Sequence, residues 1–126
     1  MTVRLDKLKT RGEFLRVAAG RVRAARPGLI LQAAPRPGGD ASAPRIGFTA
    51  SKRVGNAVAR NRAKRRLRAA AASVLPLHGE PGTDYVLIAR ADTGARVYAE
   101  LLADLEGALR QLARLQPPKA ARGGET

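Results

Sequence analysis

The sequence predicts a single α+β domain with a small mixed sheet, in the element order α-β-β-β-α-β-α. The chain has 126 residues, which suits one domain and leaves little room for a second. Segments with the two-residue period of strands alternate with segments of helical period. No internal repeat is visible. The domain is expected over residues 1–115, and residues 116–126, with two prolines and two glycines, are expected to form a disordered tail.

The first helix is expected at about residues 11–19. Thr10 and Glu13 have the spacing of a capping box, in which each side chain bonds to the backbone of the other residue. Gly20 is a plausible end of the helix. Its apolar residues are Phe14, Leu15, Val17 and Ala18.

Three strands are expected next, over residues 21–24, 28–33 and 45–51, and the last two are separated by a turn-rich loop. The first of them is a short edge strand. Alternation in the third strand predicts two faces. One face carries Ile46, Phe48 and Ala50, and the other carries Gly47, Thr49 and Ser51.

A second helix is expected from about residue 56 to residue 75, since the apolar residues there recur at helical spacing. Pro76 is expected to end it, which places His78 in a proline-flanked turn. The narrow apolar stripe of this helix consists of Ala63, Leu67, Ala70 and Val74.

A buried strand over residues 84–90 and a final amphipathic helix over about residues 97–115 complete the domain. The helix is expected to pack through Tyr98, Leu101, Leu102, Leu105, Leu109 and Leu112. The apolar faces of the three helices can pack only in part against one side of the small sheet. We therefore expect part of the other sheet face to stay open.

Basic residues dominate the first two thirds of the chain. There are 24 Lys and Arg against 10 Asp and Glu, a net charge of +14. Residues 41–79 hold nine basic residues and no acidic one, whereas residues 80–126 are nearly neutral. So many basic side chains repel one another in a free monomer, and their charge is useful mainly for binding a polyanion. Nucleic acid or an anionic membrane surface is the expected partner.

The composition argues against catalysis by the side chains of this chain. Without cysteine, the chain has no thiol chemistry, disulfides or cysteine-based metal sites. His78 is the only histidine, the carboxylates are scattered, and phosphate-binding and nucleophile-elbow motifs are missing. We expect no catalytic residue, no metal site and no cofactor bound by side chains. No apolar run reaches the length of a membrane span and no signal peptide is visible, so a cytoplasmic location is expected.

The segment over residues 51–68 carries most of the functional information. Guanidinium groups bind phosphate through paired hydrogen bonds, and asparagine can reach a base edge or a ribose hydroxyl. A DNA-reading helix would need a second helix one tight turn away. A membrane-surface helix would need bulkier apolar residues than alanine. RNA is the preferred ligand class.

At this segment the sequence resembles the protein subunit of bacterial ribonuclease P. The match to the RNR motif of that family rests on Arg60, Asn61, Arg62, Lys64, Arg65 and Arg68. The preceding residues 47–58, GFTASKRVGNAV, also match. The resemblance covers about residues 4–115. It implies a left-handed βαβ crossover at the RNR helix, in a fold similar to the second domain of ribosomal protein S5.

The resemblance also implies a function. In this family the RNA subunit uses Mg²⁺ to hydrolyse precursor tRNA and release its 5′ leader. The protein, with one copy per RNA expected, binds the catalytic RNA and holds the leader between its first helix and the open sheet face. By position, the implied RNA contacts are Lys52, Arg53, Asn56, Arg60, Asn61, Arg62, Lys64, Arg65 and Arg68. The implied leader-cleft residues are Phe14, Val17 and Ser51.

Two positions depart from the family pattern, since Ala18 and Leu31 stand where relatives often carry aromatic residues. Leader binding is therefore expected to depend on apolar shape and backbone contacts. A ribosomal or other structural-RNA protein would show the same charge, size and fold class, and so remains an alternative. A nucleoid or DNA-binding protein is the second alternative.

Overall fold

The computed structural model describes residues 6–20, 22–36 and 44–115. A single 3₁₀ turn, Lys52–Val54, joins the fourth strand to the second helix. The strands and helices are β1 (Asp6–Lys7), α1 (Arg11–Ala19), β2 (Arg23–Arg26), β3 (Leu29–Pro35), β4 (Arg45–Thr49), α2 (Ala57–His78), β5 (Thr83–Ala89) and α3 (Tyr98–Leu115).

The strands form one mixed sheet in the order β1-β4-β5-β3-β2. β4 and β5 are parallel neighbours joined through α2, and β3 runs antiparallel to β5 on its other side. Leu87 is paired with Phe48 on one side and with Leu31 on the other. The α+β class and the predicted element order are confirmed. The two-residue strand β1 was not predicted, because two residues are too few to show a period.

The main core lies between one face of the sheet and helices α2 and α3. All four predicted stripe residues of α2 are buried there, and so are Leu101 and Leu105 of α3. Ile46, Phe48 and Ala50 pack on this same face, as their alternation predicts. Each fully buried leucine contributes about 1.5–3 kcal/mol of transfer free energy. This side of the sheet therefore supplies most of the stability of the fold.

Tyr98 is the exception among the predicted core residues of α3. It is 38% exposed, whereas Leu101 is fully buried. Tyr98 is the first residue of the helix, one turn before the packed segment begins. Hydrophobic periodicity cannot show where along a helix the packing starts.

The opposite face of the sheet is covered only in part. α1 packs Val17 against Leu8, Ala34 and Val86, and Phe14 lies at the edge of this small cluster. Ile30, Gln32, Thr49 and Ile88 alternate onto the same face and keep part of their surface exposed. The prediction that part of this face stays open is confirmed.

The predicted end of α2 at Pro76 is wrong. The helix continues through Pro76 to His78, so His78 lies exposed in its last turn rather than in a separate turn. Proline lacks the N–H group that would bond to the residue four positions earlier, but the last turn is still closed by a bond beyond Pro76. The backbone N–H of Gly79 closes it by donating to the carbonyl oxygen of Leu75 at 2.7 Å. Most of the predicted loop over 35–44, and the predicted tail, lie outside the described residues.

Candidate nucleic-acid interface

A tight backbone path leads from β4 into α2. The hydroxyl of Ser51 accepts a hydrogen bond from the backbone of Arg53 at the 3₁₀ turn. Gly55 follows with φ of 141°, a conformation reserved largely for glycine. The side-chain oxygen of Asn56 then accepts from the backbone N–H of Ala59 at 2.9 Å and caps α2. Capping fixes Asn56 at the helix start and uses only the oxygen of its amide, and the residue is exposed.

The predicted RNA-contact residues form a basic face on the first turns of α2 and the segment before it. All are exposed except Arg60 and Lys64, which are partly exposed. Within the described ranges, none of the cations of this face pairs with a carboxylate. The Arg68 guanidinium lies 5.7 Å from the centre of the Phe48 ring, which favours one orientation of that cation. The result is a surface of cations without internal neutralisation.

Arg66 lies on the same helix but turns inward. Its guanidinium donates to the backbone carbonyls of Thr93 and Gly94 at 2.9 Å each, and also to that of Arg96. These bonds fix the loop after β5 against α2. Arg66 is thus a structural residue within the basic segment. Its position beside the apolar stripe was the only sequence signal for this role.

A shallow groove separates the start of α2 from this loop. Val54, Val58 and Ala59 line one side, and Ala91 and Ala95 line the other. Arg62 and Asn56 also border it. The groove therefore adjoins the basic face and adds apolar surface to it.

The predicted leader-cleft residues occupy three different environments. Phe14 is partly buried and its ring lies directly on Gly47, where a β-carbon would come within 2.4 Å of two ring carbons. Val17 is fully buried under α1 and offers no surface to a ligand in this structure. Ser51 lies exposed two residues beyond β4, at the 3₁₀ turn. Of the three, Phe14 is the one placed between α1 and the open part of the sheet.

A network of charged groups holds α1 on the sheet beside Phe14. The carboxylate of Asp84 accepts two hydrogen bonds from Arg45, from Nε at 2.8 Å and from Nη2 at 2.7 Å. It also accepts from Arg16 on α1 and, at 3.4 Å, from Arg36. Arg45 donates in addition to Glu13 at 2.9 Å. These five residues join α1, β4, β5 and the end of β3.

The network sets the charge state of its carboxylates. Burial alone would raise the pKa of Asp84, but the hydrogen bonds from Arg45 and Arg16 outweigh burial and hold this pKa below its ordinary value. The pKa of Glu13 is lowered chiefly by hydrogen bonds from the backbone N–H groups of Lys9 and Thr10. The bonds to Asp84 raise the pKa of Arg45. Asp84, Glu13 and Arg45 are therefore ionised near neutral pH.

The guanidinium groups of the basic face can bind a polyanion. Among the described residues, no group of three or more His, Cys, Asp or Glu side chains is placed to hold a metal ion. No helix in this part of the chain is both long and apolar enough to cross a membrane. The molecule presents an unneutralised basic face and, separately, a partly open sheet face bordered by α1.

Comparison with known proteins gives one consistent result. The family model described as Ribonuclease P matches residues 3–113. The ribonuclease P protein component of Paramagnetospirillum magneticum is 55% identical over 128 aligned positions, covering 100% of this chain and 96% of the relative. That of Ruegeria pomeroyi is 53% identical and covers 90% of each chain.

Solved structures show the same fold. The RNase P protein of Staphylococcus aureus superposes with a TM-score of 0.67 at 25% identity, covering 82% of this chain and 92% of that one. The RNase P protein from Thermotoga maritima gives a TM-score of 0.68 at 21% identity, covering 86% and 96%.

Proposed function

The chain belongs to the ribonuclease P protein family, and from this premise we propose how it acts within the ribonucleoprotein. It binds the catalytic RNA through the basic face of α2 and holds the 5′ leader of precursor tRNA on the open sheet face beside α1. The RNA subunit, using Mg²⁺, hydrolyses the phosphodiester bond and leaves a 5′-phosphate on the tRNA. One protein associates with one RNA, in the cytoplasm.

The unneutralised basic face is the observation that carries this proposal. Nine basic residues fall between positions 41 and 79 with no acid among them. Of these, Arg45 and Arg66 are used within the fold. The other basic residues of this range lie on α2 and the segment before it. Bound phosphates relieve the repulsion among them. The groove beside Arg62 adds apolar surface against which a nucleotide can pack.

The open sheet face supports the second part of the proposal. It lies on the side of the sheet away from the main core and is bordered by α1, with Phe14 at the edge. An extended single strand fits such a surface, because its bases can pack on exposed apolar and aromatic groups. With Phe14 the one aromatic residue there, apolar side chains such as Ile30 and Ile88 supply the rest of the contact.

The protein contributes binding rather than bond cleavage. Among the described residues, the buried carboxylates of Asp84 and Asp104 are ion-pair partners of arginines, a structural role rather than acid–base work. Bringing substrate and catalytic RNA together lowers the Mg²⁺ concentration that the RNA requires. Purified protein alone should leave precursor tRNA intact.

The test is reconstitution of the protein with a bacterial ribonuclease P RNA at low Mg²⁺, with precursor tRNA as substrate. Leader removal should be stimulated by the protein, and the stimulation should shrink as Mg²⁺ is raised. A ribosomal or other structural-RNA protein would leave this reaction unchanged. Cleavage by protein free of RNA would contradict the assignment of the chemistry to the RNA.

The basic face makes a quantitative prediction for binding to the RNA subunit. If about four to seven phosphates are neutralised, at roughly −0.7 to −0.9 per phosphate, log K should fall against log salt with a slope of about −3 to −6. Arg65→Ala or Arg68→Ala should weaken binding and flatten the slope by about one. Arg110→Ala, which removes an exposed arginine on α3, is the matched control and should change neither. A slope near zero for the parent protein would refute the electrostatic interface.

A further inference from the structure

We infer that Asp84 is a positioning residue for leader recognition: from beneath α1 it fixes the height and angle at which this helix borders the open sheet face. This inference rests on the proposed function, because it concerns the same cleft. Asp84 has no exposed surface and can contact no RNA. Any effect it has on the leader must pass through the residues it holds.

Asp84 joins the helix to the strands beneath it. On the strand side, Arg45 donates a hydrogen bond to each oxygen of the carboxylate and forms a bidentate pair. On the helix side, Arg16 bonds the same carboxylate and also donates to the backbone carbonyl of Pro35 at 2.9 Å. Arg45 then reaches back to Glu13, one turn earlier on α1. The helix is therefore attached at two points three residues apart.

The attachment points flank the residue that faces the cleft. Phe14 directly follows Glu13 and lies two residues before Arg16. On β4, Gly47 lies two residues after Arg45 and thus on the same face of the sheet, where the Phe14 ring packs on it. A shift of α1 at the charged network would therefore move the Phe14 ring over β4 and change the width of the cleft.

The charges of the network explain why the carboxylate is needed. Three guanidinium groups, from Arg16, Arg36 and Arg45, converge on Asp84. Among the described residues, Glu13 also belongs to this network, and it pairs with Arg45. Without the charge of Asp84, Arg16 and Arg45 repel each other in a partly buried site. The side chains nearest to solvent, Arg16 and Arg45, then separate, and α1 moves with Arg16.

A second buried carboxylate provides a matched control. Asp104 on α3 is 8% exposed, accepts from Arg96 at 2.8 Å and accepts from the backbone of Gly28 at 3.0 Å. It lies on the side of the sheet that carries the main core, away from α1. Neutralising it removes a comparable arginine–carboxylate pair without touching the cleft.

The experiment compares reconstituted holoenzymes that contain the parent protein, Asp84→Asn or Asp104→Asn. Affinity is measured for precursor tRNA and for mature tRNA, at a temperature where circular dichroism shows all three proteins folded. We expect Asp84→Asn to reduce the preference for precursor over mature tRNA at least fivefold. Affinity for the RNA subunit should change less than twofold. Asp104→Asn should keep the parental preference.

Each alternative result has a defined meaning. Equal preference in Asp84→Asn and the parent protein would overturn the inference, as would an equal loss in both aspartate variants. If the parent holoenzyme shows no preference for precursor, the proposed leader function itself fails. Should Asp84→Asn not fold, Arg16→Gln replaces it, because this variant removes the partner through which Asp84 holds α1 and leaves the pair of Asp84 and Arg45 in place. An unchanged preference in Arg16→Gln would then overturn the inference.

Discussion

Gly47 is the one position in the sheet where an added methyl group would meet the cleft aromatic directly. A β-carbon on Gly47 would lie 2.4 Å from two carbons of the Phe14 ring and 3.3 Å from a methyl carbon of Leu8. Ordinary contacts of this kind are 3.4–4 Å. In Gly47→Ala the ring must therefore move by about 1 Å, as the difference between these distances requires.

The cost of this substitution follows from overpacking. Forcing an extra methyl group into a packed contact typically costs about 1–3 kcal/mol. Phe14→Ala alone should cost less than the roughly 3–5 kcal/mol found for a fully buried phenylalanine, because Phe14 is only partly buried. In the Phe14→Ala background the space above Gly47 is empty, so the added methyl group should cost little. The two substitutions should thus be coupled by about 1–3 kcal/mol.

Urea unfolding of the parent protein, both single variants and the double variant measures this coupling. Gly94→Ala is the control, because a β-carbon there meets nothing within 4 Å and the backbone is not in the left-handed region. It should be neutral, or stabilising by about 0.4–1 kcal/mol. Additive effects of Gly47→Ala and Phe14→Ala would refute the ring–glycine contact. So would a Gly47→Ala variant as stable as the parent protein.

Two further predictions concern the charged network and the entry to α2. The pKa values of Glu13 and Asp84 lie below their ordinary 4.5 and 3.8, so the unfolded chain binds more protons near pH 4. The stabilisation from these two carboxylates is complete above these ordinary values and is lost as pH falls through the folded-state pKa values. The difference in unfolding free energy between the parent protein and Asp84→Asn, measured in urea, should therefore shrink over this range. A constant difference down to pH 2 would contradict the assignment. Gly55→Ala places a side chain at φ of 141° and 2.9 Å from the β-carbon of Ala59, which should cost about 1–3 kcal/mol and weaken binding to the RNA subunit. Parental affinity in a filter-binding titration would show that this turn does not position the basic face.

Local sequence patterns were sufficient for the three helices, the four longer strands and the basic face, but not for β1 or for the end of α2. The capping box of Thr10 and Glu13 is formed as its spacing predicts, because its partners lie three residues apart. The alternation of Ile46 and Phe48 places both on the core face of β4. The cations of α2 are recognisable because residues 41–79 contain no acid that could neutralise them locally. In each case the interaction lies within a few residues or one element.

The tertiary structure decided which of these side chains are available to a ligand. The family resemblance placed Val17 with Phe14 in the leader cleft, but packing buries Val17 and leaves Phe14 at the edge. Arg66 belongs to the basic segment, yet carbonyls nearly thirty positions further along the chain take up its donors.

Asp84 is the clearest example of a residue whose role only the tertiary structure shows. It reads as an ordinary polar residue at the start of a strand, and its partner Arg16 is 68 positions away. No local period records such a pair, because the two meet only after the β4–α2–β5 connection has brought β5 beside β3 and under α1. The sequence by itself therefore determined the helices, the longer strands and the positive charge of the surface. The arrangement of the sheet determined which charges hold the fold together and which remain free to bind.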